Sequence, residues 1–148
     1  MYKHISNNTQ ETFNIGSEFA KSLKESDIVI FEGDLGAGKT QFIKGICKAF
    51  DVNSEVTSPT FTLINIYDGY HNNSPIEIVH IDLYRVKNPR ELANIGFDEY
   101  LFDTSSIKLI EWSQKAKELL ENNYNYKVEI LIDDQDENKR TIIVEKKM

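Results

Sequence analysis

The stretch Gly33-Asp34-Leu35-Gly36-Ala37-Gly38-Lys39-Thr40 fills every fixed position of the phosphate-binding pattern G-x-x-x-x-G-K-[ST]. Glycines at this spacing let the backbone curl until successive N–H groups point inward and form a concave anion site. A helix that starts there adds its free N–H groups and the positive end of its dipole. Lys39 is placed to reach β- and γ-phosphates, and the Thr40 hydroxyl to bind magnesium. All eight positions are therefore candidate nucleotide-binding residues. The plain alternative is a glycine-rich turn that caps a helix and binds nothing.

Hydrolysis of a nucleotide needs a carboxylate for magnesium and a group that orients the attacking water. Asp82 follows Ile78-Val79-His80-Ile81 and Glu111 follows Leu109-Ile110, so both acids stand where an apolar strand ends. Strand ends face the phosphate loop in this architecture. Each acid could instead cap the next segment. At least one is expected to bind metal, which makes Thr40, Asp82 and Glu111 the candidate ligands. His80 lies two residues before Asp82 and faces the same way, as a partner behind the acid or as a satisfied core histidine. Thr57-Ser58-Pro59-Thr60 offers hydroxyls on a loop that could sense a terminal phosphate, or forms a Pro turn with no such role. The acidic run Asp133-Asp134-Gln135-Asp136-Glu137 lacks the Gly and distal Glu of a calcium loop and reads as a solvated turn.

The elements that must hold these residues are legible on either side of them. Ile28-Val29-Ile30-Phe31 is a short apolar, β-branched run, expected as a buried strand entering the loop. Phe42, Ile43, Ile46, Cys47 and Phe50 recur at helical spacing over 39–50. Strand, glycine loop and helix is the context the motif requires. Upstream, Asn8 and Glu11 suggest a capping box opening a helix with Phe13, Gly16, Phe19, Ala20 and Leu23 on one face, ending before Asp27. Residues 61–67 and 76–81 alternate as two strands around a polar turn at 68–75. A short helix is expected from Asn88-Pro89, ended by Gly96, with a further turn or helix over 97–102. A strand over 107–110 delivers Glu111 and Trp112, and a polar helix over 113–122 follows, with Ser113 as its N-cap. Strands over 127–132 and 140–145 form a second hairpin. The fold class is α/β: a P-loop NTPase-like mixed sheet with helices on both faces and two antiparallel hairpins.

The chain of 148 residues suits one P-loop ATPase domain spanning 1–148. No apolar run approaches the roughly eighteen residues of a membrane span and no signal-peptide core is present, so the expected location is the cytoplasm. The lone Cys47 falls on the apolar stripe of the loop helix and reads as packing. A net charge of −7 argues against a domain that grips nucleic acid alone, because phosphate neutralisation supplies most such affinity. Any role with RNA or DNA is expected to go through a partner.

Four segments in order, 33–40, Thr57-Ser58-Pro59-Thr60-Phe61-Thr62-Leu63, His80-Ile81-Asp82-Leu83-Tyr84-Arg85 and Leu109-Ile110-Glu111-Trp112, resemble the TsaE (YjeE) family over nearly the whole chain. Asn88-Pro89-x-Glu91-Leu92 with Gly96 is similar to it as well. The resemblance implies a magnesium-dependent ATPase, with ATP and Mg2+ as cofactors, whose activity depends on partners. It implies a place in tRNA threonylcarbamoyladenosine biosynthesis, supporting turnover of a TsaD–TsaB transferase assembly on tRNAs reading ANN codons. Carried over by position, Lys39 and Thr40 hold phosphate and metal, Glu111 is the metal carboxylate, Asp82 assists hydrolysis, and the Ser58-Pro59-Thr60 loop is switch-like. Thr12 and Arg140, from the flanking ends, are candidates to face the base. A small-molecule kinase would need a lid carrying arginines, and the chain has only Arg85, Arg90 and Arg140, scattered. A GTP switch would need Asn-Lys-x-Asp, whereas Asn138-Lys139 is followed by Arg140-Thr141.

Overall fold

The computed structural model describes residues 1–59 and 63–147. Its strands are β1 (Tyr2–Ser6), β2 (Ile28–Glu32), β3 (Ile64–His71), β4 (Ser74–Asp82), β5 (Ser106–Glu111), β6 (Tyr126–Ile132) and β7 (Arg140–Lys146). They form one sheet in the order β1-β7-β6-β2-β5-β4-β3. β2 pairs in parallel with β5 and β6, and β4 with β5, while β3, β7 and β1 add antiparallel edges. The parallel centre explains the composition of β2. Both β2 and β5 are covered on two faces; β2 accordingly reads as an apolar run, whereas β5 interleaves the buried Ser106, Lys108 and Glu111 with Ile107, Leu109 and Ile110.

Helices α1 (Thr9–Phe19) and α2 (Lys39–Ala49) cover one face, where Phe19, Phe42 and Ile46 pack on Phe31, Ile78 and Leu109. The other face is covered by α3 (Arg90–Asn94), α4 (Phe97–Leu101) and α5 (Lys117–Leu120), with Leu92, Phe97 and Leu120 against Ile30, Val79 and Ile110. The expected mixed sheet with helices on both sides is what the chain forms. No helix among the described residues is long and apolar enough to cross a membrane.

The local signals at α1 work as the sequence suggests. The Asn8 side chain accepts from the Glu11 amide at 2.8 Å, and Glu11 accepts in return from the Asn7 amide at 3.1 Å. Cys47 is buried in the core, where burial pushes its thiol up to about 12. Where α1 crosses α2, a Cβ built on Gly45 would stand 2.0 Å from the Phe13 carbonyl oxygen, so backbone meets backbone. Gly45→Ala is expected to cost about 1–3 kcal/mol through forced separation of the two helices. Urea unfolding checks this, and an unchanged midpoint would contradict the close approach.

Two expectations need correction, and one strand was not expected. β1 was not legible, because Tyr2, Lys3, His4 and Ile5 are all exposed on an edge strand and show no buried face. The first hairpin has a tighter turn than 68–75: β3 runs to His71 and β4 starts at Ser74, with Asn72 and Asn73 both at positive φ (52° and 67°). That is the backbone of a two-residue hairpin loop, which Asn tolerates. The helix expected over 113–122 is a 3-10 turn, Ser113–Ala116, followed by the single α turn of α5. The expected strand start at Phe61 lies outside the described residues.

Candidate functional site

β2 runs straight into the glycine loop, which sits at the carboxyl end of the parallel strands. Gly36 and Gly38 take φ of 80° and 110°, values that side chains rarely adopt, and so let the loop turn back toward α2. α2 begins at Lys39, so its first N–H groups and its dipole point into the loop.

Lys39 is only 5% exposed. Its Nζ donates to the Gly33 carbonyl at 2.7 Å and lies 4.2 Å from the Trp112 ring centroid. Burial lowers its pKa, while Glu111, Asp82 and Asp34 pull the other way. The lysine thus spans its own loop and the end of β5, a charge held back from water beside the anion site.

The parallel register of β4 and β5 places Asp82 directly beside Glu111. A recess of about 510 Å³ is lined by Lys39, Thr40, Ser58, Asp82, Glu111 and Trp112, among others. The structure therefore gathers the lysine, the hydroxyl and both acids around one space. Among the described residues no group of three or more His, Cys, Asp or Glu side chains could hold a metal by itself. Magnesium does not need one, since it keeps several waters and takes one or two carboxylates together with phosphate oxygens. One hydroxyl and two carboxylates facing a phosphate site fit that donor set.

Asp82 serves structure at the same time. Its Oδ1 accepts from the Tyr84 amide at 2.9 Å, and its Oδ2 from the Ser58 hydroxyl at 3.1 Å. The acid caps the segment after β4 and also ties down the Ser58 loop. Thr60, the other hydroxyl expected there, lies outside the described residues.

Trp112 shows how the end of β5 is built. In a continuing strand Glu111 and its neighbour would point to opposite faces. Trp112 instead has φ of 58°, and this left-handed turn brings both side chains to the same recess. Ser113, expected as an N-cap, makes no side-chain cap because the reversal falls one residue earlier. The indole lies between Lys39 and Tyr84, whose ring centroid is 4.9 Å away. Adding ATP and magnesium is expected to change Trp112 fluorescence, as Lys39 shifts from indole to phosphate, and to change it much less in Lys39→Ala. A flat titration in protein shown by another method to bind ATP would defeat this.

Thr12 and Arg140 meet on the outer side of the loop, where both line a recess of about 220 Å³ with Gln41 and Asn138. The Thr12 hydroxyl is 2.7 Å from the Ser6 hydroxyl. The Arg140 guanidinium donates to the Ala37 carbonyl at 2.8 Å and to Gly36 at 3.3 Å, bracing the loop from β7. Asp133 folds the acidic turn onto itself by accepting from the Gln135 amide at 2.8 Å, as a solvated turn does.

Sequence reasoning missed Lys44 and Tyr84, which also line the phosphate-side recess. Lys44 was within reach of a helical argument, one turn beyond Thr40 on the same face. His80 was noticed but not joined to Glu111, and the two meet at 2.7 Å.

A parallel strand that ends in this loop and hands over to a helix defines the class: a P-loop nucleotide-binding protein. Comparison with known proteins narrows it. The family described as "Threonylcarbamoyl adenosine biosynthesis protein TsaE" matches residues 6–142. The chain is 41% identical over 144 residues to the tRNA threonylcarbamoyladenosine biosynthesis protein TsaE of Rickettsia typhi, covering 97% of this chain and 94% of that one. It is 36% identical over 140 residues to the protein of that name from Aquifex aeolicus, covering 93% and 91%. The crystal structure of Bacillus subtilis YdiB superimposes with a TM-score of 0.68 at 29% identity, covering 97% of this chain and 82% of that one. The chain belongs to the TsaE family, whose role is tRNA threonylcarbamoyladenosine biosynthesis.

Proposed function

We propose that the chain binds and hydrolyses ATP with magnesium, in the cytoplasm, and that this supports turnover of a TsaD–TsaB transferase assembly acting on tRNAs that read ANN codons. The observation that carries the reading is the convergence of Lys39, Thr40, Asp82 and Glu111 on one recess at the mouth of the glycine loop. Loop amides and the α2 N-terminus hold the phosphates, and Lys39 leaves the Gly33 carbonyl to meet them. Thr40 and Glu111 hold the metal, which when bound neutralises charge on the phosphoryl oxygens. Asp82 orients the attacking water, and its bond to Ser58 couples that task to the neighbouring loop. The base lies toward the recess of Thr12 and Arg140. The net charge of −7 suits a protein that reaches tRNA only through its partners.

The test is retention of TsaD and TsaB by the tagged protein from lysate with and without ATP, paired with phosphate release measured with and without the purified partners. ATP-dependent retention and partner-stimulated release are expected. Retention of neither partner, with release indifferent to them, would sink the coupling, and hydrolysis of GTP in preference to ATP would sink the choice of nucleotide.

A further inference from the structure

We propose that His80 is a positioning residue for Glu111, holding one carboxylate oxygen so that the other is presented to the metal. This rests on the reading of Glu111 as a magnesium ligand. His80 is fully buried and Glu111 is 3% exposed, and the His80 Nε2 stands 2.7 Å from the Glu111 Oε2. An ionised carboxylate can only accept, so His80 donates through a proton on Nε2. The Nδ1 is buried and has no hydrogen-bond partner among the described residues.

That orphan is informative. An unpartnered buried polar atom is unfavourable, and His80 lies on the face of β4 that carries Ile76 and Ile78 into the core beneath α2. An aliphatic side chain would pack there without the penalty. What the imidazole adds is the single Nε2–H directed at Glu111. With Oε2 held, the plane of the carboxylate is set, and Oε1 is the oxygen left for the metal shell. Partners placed behind a ligand in this way orient it and strengthen metal binding.

The side chains of Gln and Asn separate this role from packing, because a Gln amide nitrogen reaches about as far as Nε2 and an Asn nitrogen only as far as Nδ1. Mn2+ is the probe, measured by electron paramagnetic resonance with a non-hydrolysable ATP analogue. His80→Gln is expected to keep close to wild-type Mn2+ affinity, while His80→Asn and His80→Leu lose about 10- to 100-fold. Metal-free affinity for the analogue stays unchanged in all three. Wild-type Mn2+ affinity in His80→Asn and His80→Leu, or equal loss in His80→Gln, overturns the proposal while leaving Glu111 as a ligand if Glu111→Gln loses Mn2+. Wild-type Mn2+ affinity in Glu111→Gln overturns both readings. Should the Asn and Leu variants fail to fold, nitrogen-15 spectra of the wild-type ring decide: a proton on Nε2 is expected, and an Nε2 that carries none overturns the assignment.

Discussion

Lys39→Ala is expected to lower ATP hydrolysis by about 10²–10³-fold, the range found when one preorganised donor to developing charge is removed. The side chain is held ready: its Nζ already lies at the mouth of the loop, on the Gly33 carbonyl and over Trp112. The fold should survive, although not for the reason the sequence suggests. A loop lysine reads as exposed, and this one is buried. Burial lowers its pKa below the usual lysine value, so the folded state disfavours the charged form. The sign follows from linkage: that penalty is present in full below the folded-state pKa and fades as pH rises toward 10.5. Removing the charge therefore relieves an unfavourable contribution, offsetting part of the lost cation–π contact with Trp112, which is worth about 2 kcal/mol where desolvated. The Gly33 carbonyl is left facing an open recess where water replaces the lysine. Phosphate release read beside a thermal melt checks both halves, and wild-type hydrolysis in the folded variant would end the phosphate-loop reading.

Glu111→Gln and Asp82→Asn should separate two acids that the sheet register sets side by side. Glu111→Gln keeps size and shape but loses the charge, so the metal dependence of ATP binding should weaken by at least about tenfold, a difference of about 1.4 kcal/mol. Asp82→Asn keeps an oxygen for the Tyr84 amide, and its new amide can still meet the Ser58 hydroxyl, so the local fold persists. What it loses is the charge proposed to orient water, and hydrolysis should fall by about 10²-fold or more with ATP binding kept. Magnesium titrations at fixed ATP, beside single-turnover hydrolysis, distinguish the two. Equal, mild effects from both variants would show that neither acid serves the metal.

The amino-acid sequence by itself determined the parts whose cause is local. Ile28 to Phe31, the glycine loop and the apolar stripe from Phe42 to Phe50 follow from neighbour-to-neighbour spacing, and so do the Asn8 cap and the strand ends carrying Asp82 and Glu111. That β2 is a buried strand of a mixed sheet was legible for the same reason, because a strand buried on both faces has apolar residues at nearly every position. Tertiary structure alone decided what depends on pairing between distant segments. β1 has no buried face of its own and exists because β7 offers it an edge. The bond between His80 and Glu111 spans 31 residues of chain and needs the β4–β5 register, since a shift by one residue would turn the ring to the opposite face. Arg140 reaches the Ala37 carbonyl across 103 residues, which no spacing rule foretells. Strand alternation predicts that Trp112 turns away from Glu111; a positive φ at that residue, imposed where β5 ends and the chain reverses, brings both to the phosphate side.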